Sequence, residues 1–146
     1  MSYQVSLPID APAEQVWAVL ADVERWPEST ASMTSVERLD SGPFRLGSRA
    51  RIKQPSIPPI VWQVTEFDPP RGFTWCAAQP GVTTIADHVI TLGRDHAVTV
   101  TLGIRRTGLL APIVDLLYAG LTRRYVDMEI QGLKRVCEAG AVVSAM

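Results

Sequence analysis

Two histidines and two cysteines are the side chains of this 146-residue chain best suited to acid/base or nucleophilic work at neutral pH. His88 sits mid-run in Ala86-Asp-His-Val-Ile-Thr-Leu, in step with Ile90 and Leu92, so in a strand it shares their face. If that face encloses a cavity, His88 can act as a polar anchor or a general acid/base. The other reading is a histidine hydrogen-bonded inside or at the rim of the core. Asp87 must point to the opposite face, so no Asp87–His88 dyad is expected. His96 falls in the turn Gly93-Arg-Asp-His and reads as a solvated loop residue. Cys76 has no evident base beside it, and Cys76 and Cys137 lack metal-ligand spacing; two buried thiols in a reducing cytoplasm are expected. No Gly-x-Ser-x-Gly elbow, phosphate-cradling glycine loop or His-Glu-x-x-His is present. No metal or other cofactor is therefore expected.

The aromatic residues carry a second signal. Trp62, Phe73 and Trp75 fall on neighbouring apolar runs, each in step with apolar partners, and Tyr125 adds a phenolic tip to a helical stripe. They either line a pocket for a flat or elongated apolar ligand or fill the core. Arg49, Arg51 and Lys53 share one strand face, which reads as a solvated edge protected by charge.

What positions these groups is a long helix. Between Gly108 and Glu138, apolar residues recur at Leu110, Ile113, Val114, Leu117, Leu121, Tyr125, Met128 and Val136, with a second stripe at Val126, Ile130, Leu133 and Cys137. Asp115, Arg123, Arg124, Asp127, Glu129, Lys134 and Arg135 are assigned to its wet side. Pro112 suits the first turn, and Gly140 is placed just past the end. The early half is nearly all apolar, so a cover is expected over it. Gly120 and Gly132 each cost about 1 kcal/mol against alanine in a helix, which calls for close packing at Gly132 and for packing, a bend or ligand space at Gly120.

The rest of the chain alternates with period two. Ser2 to Ile9 predicts a strand, and Val16 to Leu20 a short helix with a further turn ended by Trp26-Pro27. Six more strands are expected around Met33–Leu39, Gly47–Lys53, Val61–Phe67, Gly72–Ala77, Thr83–Leu92 and Ala97–Arg106. Pro55, Pro58 and Pro59 are read as a rigid connection outside any central strand. Short turns join the later strands, so the sheet should be antiparallel. One α+β domain over residues 1–146 follows: a seven-stranded curved sheet whose greasy face is buried by the last helix.

Composition narrows the partners. The formal charge is −1, with only two lysines, which argues against nucleic acid held by bulk electrostatics. No apolar run reaches the roughly 18 residues a membrane span needs, and the first residues show no leader pattern, so a cytoplasmic protein is expected. A homodimer is compatible with the sequence, which does not set the oligomeric state.

Ile9-Asp-Ala-Pro-Ala-Glu-Gln-Val-Trp-Ala-Val-Leu-Ala-Asp, Trp26-Pro27, Trp62-Gln-Val-Thr-Glu-Phe-Asp-Pro-Pro-Arg and Gly132-Leu-Lys-Arg-Val-Cys-Glu together resemble the START-like (SRPBCC) superfamily, in its polyketide cyclase/dehydrase and lipid-transport branch. The resemblance runs the whole chain. It implies a helix-grip fold with a cavity between sheet and C-terminal helix, and a hydrophobic or amphipathic small molecule bound there by a carrier or sensor. A cyclase- or dehydratase-like enzyme in the same cavity, or an interaction module without ligand, are the alternatives. The ligand-binding candidates are then Trp62, Phe73, Trp75, His88 and Ile90 from the sheet and Leu110, Ile113, Val114, Leu117, Leu121 and Tyr125 from the helix. His88 is the one candidate for a catalytic role.

Overall fold

In the computed structural model, residues 2–145 are described, with side chains described for 2–140. Strand β1 (Ser2–Ile9) alternates as its sequence dictates: Tyr3, Val5, Leu7 and Ile9 turn inward while Ser2, Gln4 and Ser6 stay in solvent. Helix α1 (Ala13–Ala21) buries Val16 and Leu20, and a 3-10 helix (Val23–Glu28) follows. Strands β2 (Ser35–Arg38), β3 (Arg49–Gln54), β4 (Ile57–Asp68), β5 (Gly72–Gln79), β6 (Val82–Leu92) and β7 (Val98–Thr107) come next, and α2 (Ala111–Ala145) closes the chain.

The seven strands form one antiparallel sheet in the order β1-β7-β6-β5-β4-β3-β2. Its curved inner face and α2 enclose the core, where Val64, Val100, Ile130 and Cys137 are sealed from solvent. Burying each aliphatic side chain of this kind contributes roughly 1.5–3 kcal/mol before entropy is counted. The architecture matches the expected helix-grip arrangement.

Four expectations need correction. Pro58 and Pro59 lie inside β4, not in a connection before it. They are tolerated because β5 pairs only from Gln63 onward, and because the β3–β4 register slips between Ile52 and Gln54; edge stretches and bulges are where a residue without an N–H fits. Helix α2 also runs through Gly140 instead of stopping before it.

The third correction concerns the cover over α2. Tyr3 Oη bonds Asp127 Oδ1, Lys134 Nζ bonds the Pro8 carbonyl, and the Asp10 N–H bonds Glu138 Oε2, so β1 runs beside the later half of the helix. Eight strand residues span about 26 Å, whereas 35 helical residues span about 52 Å. The helix outruns the sheet, and Leu109, Leu116 and Leu117 stand 93%, 85% and 71% exposed. Finally, Cys137 is buried as expected but Cys76 is only half-buried.

Gly132 and Gly120 resolve differently. A side chain at Gly132 would collide with the Ser29 carbonyl, so close packing explains that glycine; nothing lies near Gly120.

Candidate functional site

Inward-facing residues of the middle strands meet in register. Phe73 opposes His88, which opposes Leu102; Trp75 opposes Ala86, which opposes Ile104. Because side chains alternate along a strand, these two rows stand on the same face, toward α2. Between them and the helix lies a cavity of about 270 Å³. Trp26, Trp62 and Trp75 wall it, Val114, Tyr118, Thr122, Tyr125, Val126 and Glu129 form its helical side, and Gln54, Ile57 and Pro58 rim it. Tyr125 donates its hydroxyl proton to the Pro55 carbonyl at 2.5 Å, tying the β3–β4 turn to the helix.

Of the expected ligand-binding residues, Trp62, Trp75, His88, Val114 and Tyr125 line this cavity. Phe73 is buried behind it, stacked on His88, and Ile90 belongs to the packed core. Leu110, Ile113, Leu117 and Leu121 lie outside the lining. Leu110 and Ile113 are exposed ahead of Val114, and Leu117, three residues beyond it, is exposed outside the lining. The apolar stripe there marks a face of the helix, and the cavity begins only at Val114.

His88 is fully enclosed. Its ring lies against Phe73 with Trp26 and Trp75 nearby, and burial among them pushes the imidazole down to about 4. Nδ1 is 3.2 Å from the Phe73 carbonyl oxygen, which can only accept, so Nδ1 carries the proton and Nε2 is left as an acceptor. Asp87 points away, its carboxylate accepting from Thr74 Oγ1 at 2.7 Å, as strand alternation requires. His96 is exposed in the β6–β7 turn. Burial also pushes the Cys137 thiol up to about 11, which makes it a poor nucleophile.

The residue that sequence reasoning missed is Glu129. The sequence places it on the wet side of α2, yet it is half-buried and lines the cavity. Ser32 Oγ donates to its Oε2 at 3.2 Å, with Thr30 Oγ1 hydrogen-bonded behind Ser32 at 2.7 Å. Desolvation dominates and pushes the carboxyl up to about 8. The signal was present: Glu129 follows Tyr125 by four residues and precedes Leu133 by four, inside the buried stripe. Asp115 likewise left the wet side, pairing with Arg106 at 2.9 Å where both side chains are largely covered. Trp26, read as a helix stop, supplies a wall of the cavity and donates Nε1–H to the Leu20 carbonyl.

Among the described residues, no three His, Cys, Asp or Glu side chains gather as a metal-binding group. Among the described residues, no helix is long and apolar enough to cross a membrane. The site can therefore offer apolar and aromatic surface, an imidazole acceptor and a carboxyl held largely in its neutral form at pH 7.

Solved structures share this fold at low identity. A hypothetical protein, jhp0584, from Helicobacter pylori superposes with a TM-score of 0.77 at 12% identity, covering 93% of this chain and 86% of its own. DR_A0006 from Deinococcus radiodurans does so with a TM-score of 0.65 at 18% identity, over 96% and 98%. The di-domain ARO/CYC protein BexL from the BE-7585A biosynthetic pathway matches with a TM-score of 0.67 at 18% identity, over 92% of this chain and 45% of that one. No curated protein matches the chain in sequence. The family described as polyketide cyclase / dehydrase and lipid transport matches residues 1–138, and with that span matched the chain belongs to this family.

Proposed function

We propose that the protein binds a hydrophobic or amphipathic small molecule between sheet and α2, as a carrier or sensor. The observation that carries this reading is the 270 Å³ cavity walled by Trp26, Trp62 and Trp75. Three large indoles around empty space leave apolar surface that a ligand would desolvate, whereas a core built only for stability closes such space. A hydrophobic dye should bind the native protein and be displaced by aromatic compounds of matching size. Native mass spectrometry of freshly purified protein should show a bound small molecule. Protein that takes up no dye and carries no ligand overturns the reading.

A second reading, a cyclase- or dehydratase-like enzyme in the same cavity, is favoured by one observation. His88 and Glu129 face the same space as a neutral imidazole and a mainly protonated carboxyl, the two states that general base and general acid catalysis require. Turnover lost in Glu129→Gln with ligand binding kept would establish it.

A further inference from the structure

Three polar groups of the cavity wall, His88, Tyr125 and Glu129, present acceptor atoms, while Gln54, Gln79, Thr84, Tyr118 and Thr122 add amide and hydroxyl groups that can also donate. His88 spends its one proton on the Phe73 carbonyl and presents Nε2. Tyr125 spends its proton on the Pro55 carbonyl and keeps only oxygen lone pairs. Glu129 receives the Ser32 hydroxyl on Oε2, and its Oε1 has no hydrogen-bond partner among the described residues. No cation pairs with Glu129 among the described residues, and Arg106, at the cavity wall, is engaged by Asp115 and Thr122. The remaining surface sets Trp26, Trp62 and Trp75 among aliphatic side chains, and ring faces attract positive charge.

We propose that the ligand carries an organic cation, an ammonium group on an apolar body, with the charged head at Glu129 and the body among Trp26, Trp62 and Trp75. This deepens the binding function proposed above and rests on it. A ligand headed by a carbonyl or carboxylate would find an acceptor at His88 and a single proton at Glu129, and would have to draw its other donors from the hydroxyls and amides of the wall. An ammonium brings several N–H donors to the carboxylate and the imidazole at once, and the aromatic walls stabilise its charge. The empty site stores the carboxyl in neutral form because burial disfavours a lone anion; the incoming cation supplies the missing partner and the proton leaves.

Binding is then linked to proton release. The titratable or charged groups that line the cavity with Glu129 are His88 from β6, Arg106 from β7, and Tyr118 and Tyr125 on α2 itself; Asp87 also borders it, with its carboxylate held by Thr74 Oγ1. The segment at Thr30–Ser32 contributes hydroxyls only. The Glu129 carboxyl, pushed up to about 8, changes charge between pH 6 and 8, whereas the His88 imidazole, pushed down to about 4, does not.

Tryptamine, tryptophol and indoleacetate share one ring and chain length class and differ in head: cationic, neutral and anionic. Each is titrated against dye-loaded protein. At pH 7 tryptamine should displace dye at a concentration at least about tenfold lower than either competitor, and its affinity should climb about tenfold per pH unit up to about pH 8. Calorimetry in buffers of different ionisation enthalpy should show close to one proton released at pH 7. Glu129→Gln, which keeps the side-chain shape, should erase the tryptamine preference while dye still binds. Tryptophol binding as well as tryptamine, absence of proton release, or a preference that survives Glu129→Gln overturns the cation proposal and leaves the binding function standing. Failure of dye and all three compounds to bind overturns both.

Discussion

His88 lies flat against Phe73, ring centroids 4.2 Å apart and planes 13° from parallel, while its Nδ1 meets that same residue's carbonyl oxygen at 3.2 Å. One residue thus fixes both the orientation and the tautomer of the imidazole. The pairing follows from register, since Phe73 and His88 are direct cross-strand partners. His88→Ala removes the ring from a buried aromatic cluster and leaves the carbonyl without its donor. It should cost about 2–4 kcal/mol of unfolding free energy in urea titration. Wild-type stability in that variant would show that the ring is held for function alone.

Glu129 and His88 give opposite pH dependences. The Glu129 carboxyl is raised from 4.5 to about 8, so between those values the folded state holds a proton the unfolded state has lost, and stability falls as pH rises. The His88 imidazole is lowered from 6.5 to about 4, so there the unfolded state holds the extra proton, and stability falls as pH falls. Between about 4.5 and 6.5 the two slopes oppose each other. Above 6.5 only the carboxyl acts, and stability should decline toward pH 8. Glu129→Gln should flatten that decline and unfold at higher denaturant than wild type at pH 8. A wild-type curve that rises from pH 6.5 to 8 would show the carboxyl to be ionised in the empty protein.

Two glycines of α2 should respond with opposite signs. Gly120 has open space where a side chain would go, so Gly120→Ala should stabilise by about 0.5–1 kcal/mol through helix propensity alone. At Gly132 the added methyl meets the Ser29 carbonyl, backbone that also accepts from Arg135, so Gly132→Ala should destabilise by more than 1 kcal/mol despite the same propensity gain. Thermal melts of both variants decide it, and equal shifts would refute the close approach of α2 to that carbonyl.

The fold was legible because its signals are local and redundant. Period-two alternation placed β1, β5 and β6, and the apolar stripe placed Val126, Ile130 and Leu133 in the core. The site was less legible because periodicity says which face of a helix is apolar, not how far the sheet reaches along it. Leu117 and Tyr125 belong to one apolar stripe, yet the first is 71% exposed and the second buried. Glu129 was misplaced for a related reason. Charge is ordinarily a mark of the wet face, and only a cavity lets a carboxyl sit within a buried stripe. Pro58 and Pro59 hid the start of β4, since a bulge and a missing neighbour cannot be read from composition.

That distinction along α2 is testable by truncating two leucines. Leu133→Ala opens a void in packed core and should cost about 2–5 kcal/mol. Leu117→Ala removes a side chain already in solvent and should change stability by less than about 0.5 kcal/mol. Because Leu117 is outside the cavity lining, dye affinity should also stay at the wild-type value, whereas Val114→Ala, at the lining, should alter it. A large loss of stability at Leu117 would mean that something covers the early half of the helix in solution.

Tyr125 joins α2 to the turn that rims the cavity. Its hydroxyl bonds the Pro55 carbonyl, whose residue is exposed, so in Tyr125→Phe water can replace the lost donor. The stability cost should therefore be at the low end for a hydrogen bond, about 0.5–1 kcal/mol. The kinetic consequence should be larger. With the β3–β4 turn no longer tied to the helix, the rim formed by Gln54, Ile57 and Pro58 opens more often. Dye should dissociate several-fold faster from Tyr125→Phe in stopped-flow displacement. The proton-release count with tryptamine should be unchanged, because Glu129 keeps its surroundings. Unaltered dye dissociation would mean that ligand enters elsewhere, and that the Tyr125–Pro55 bond secures the hairpin without gating the cavity.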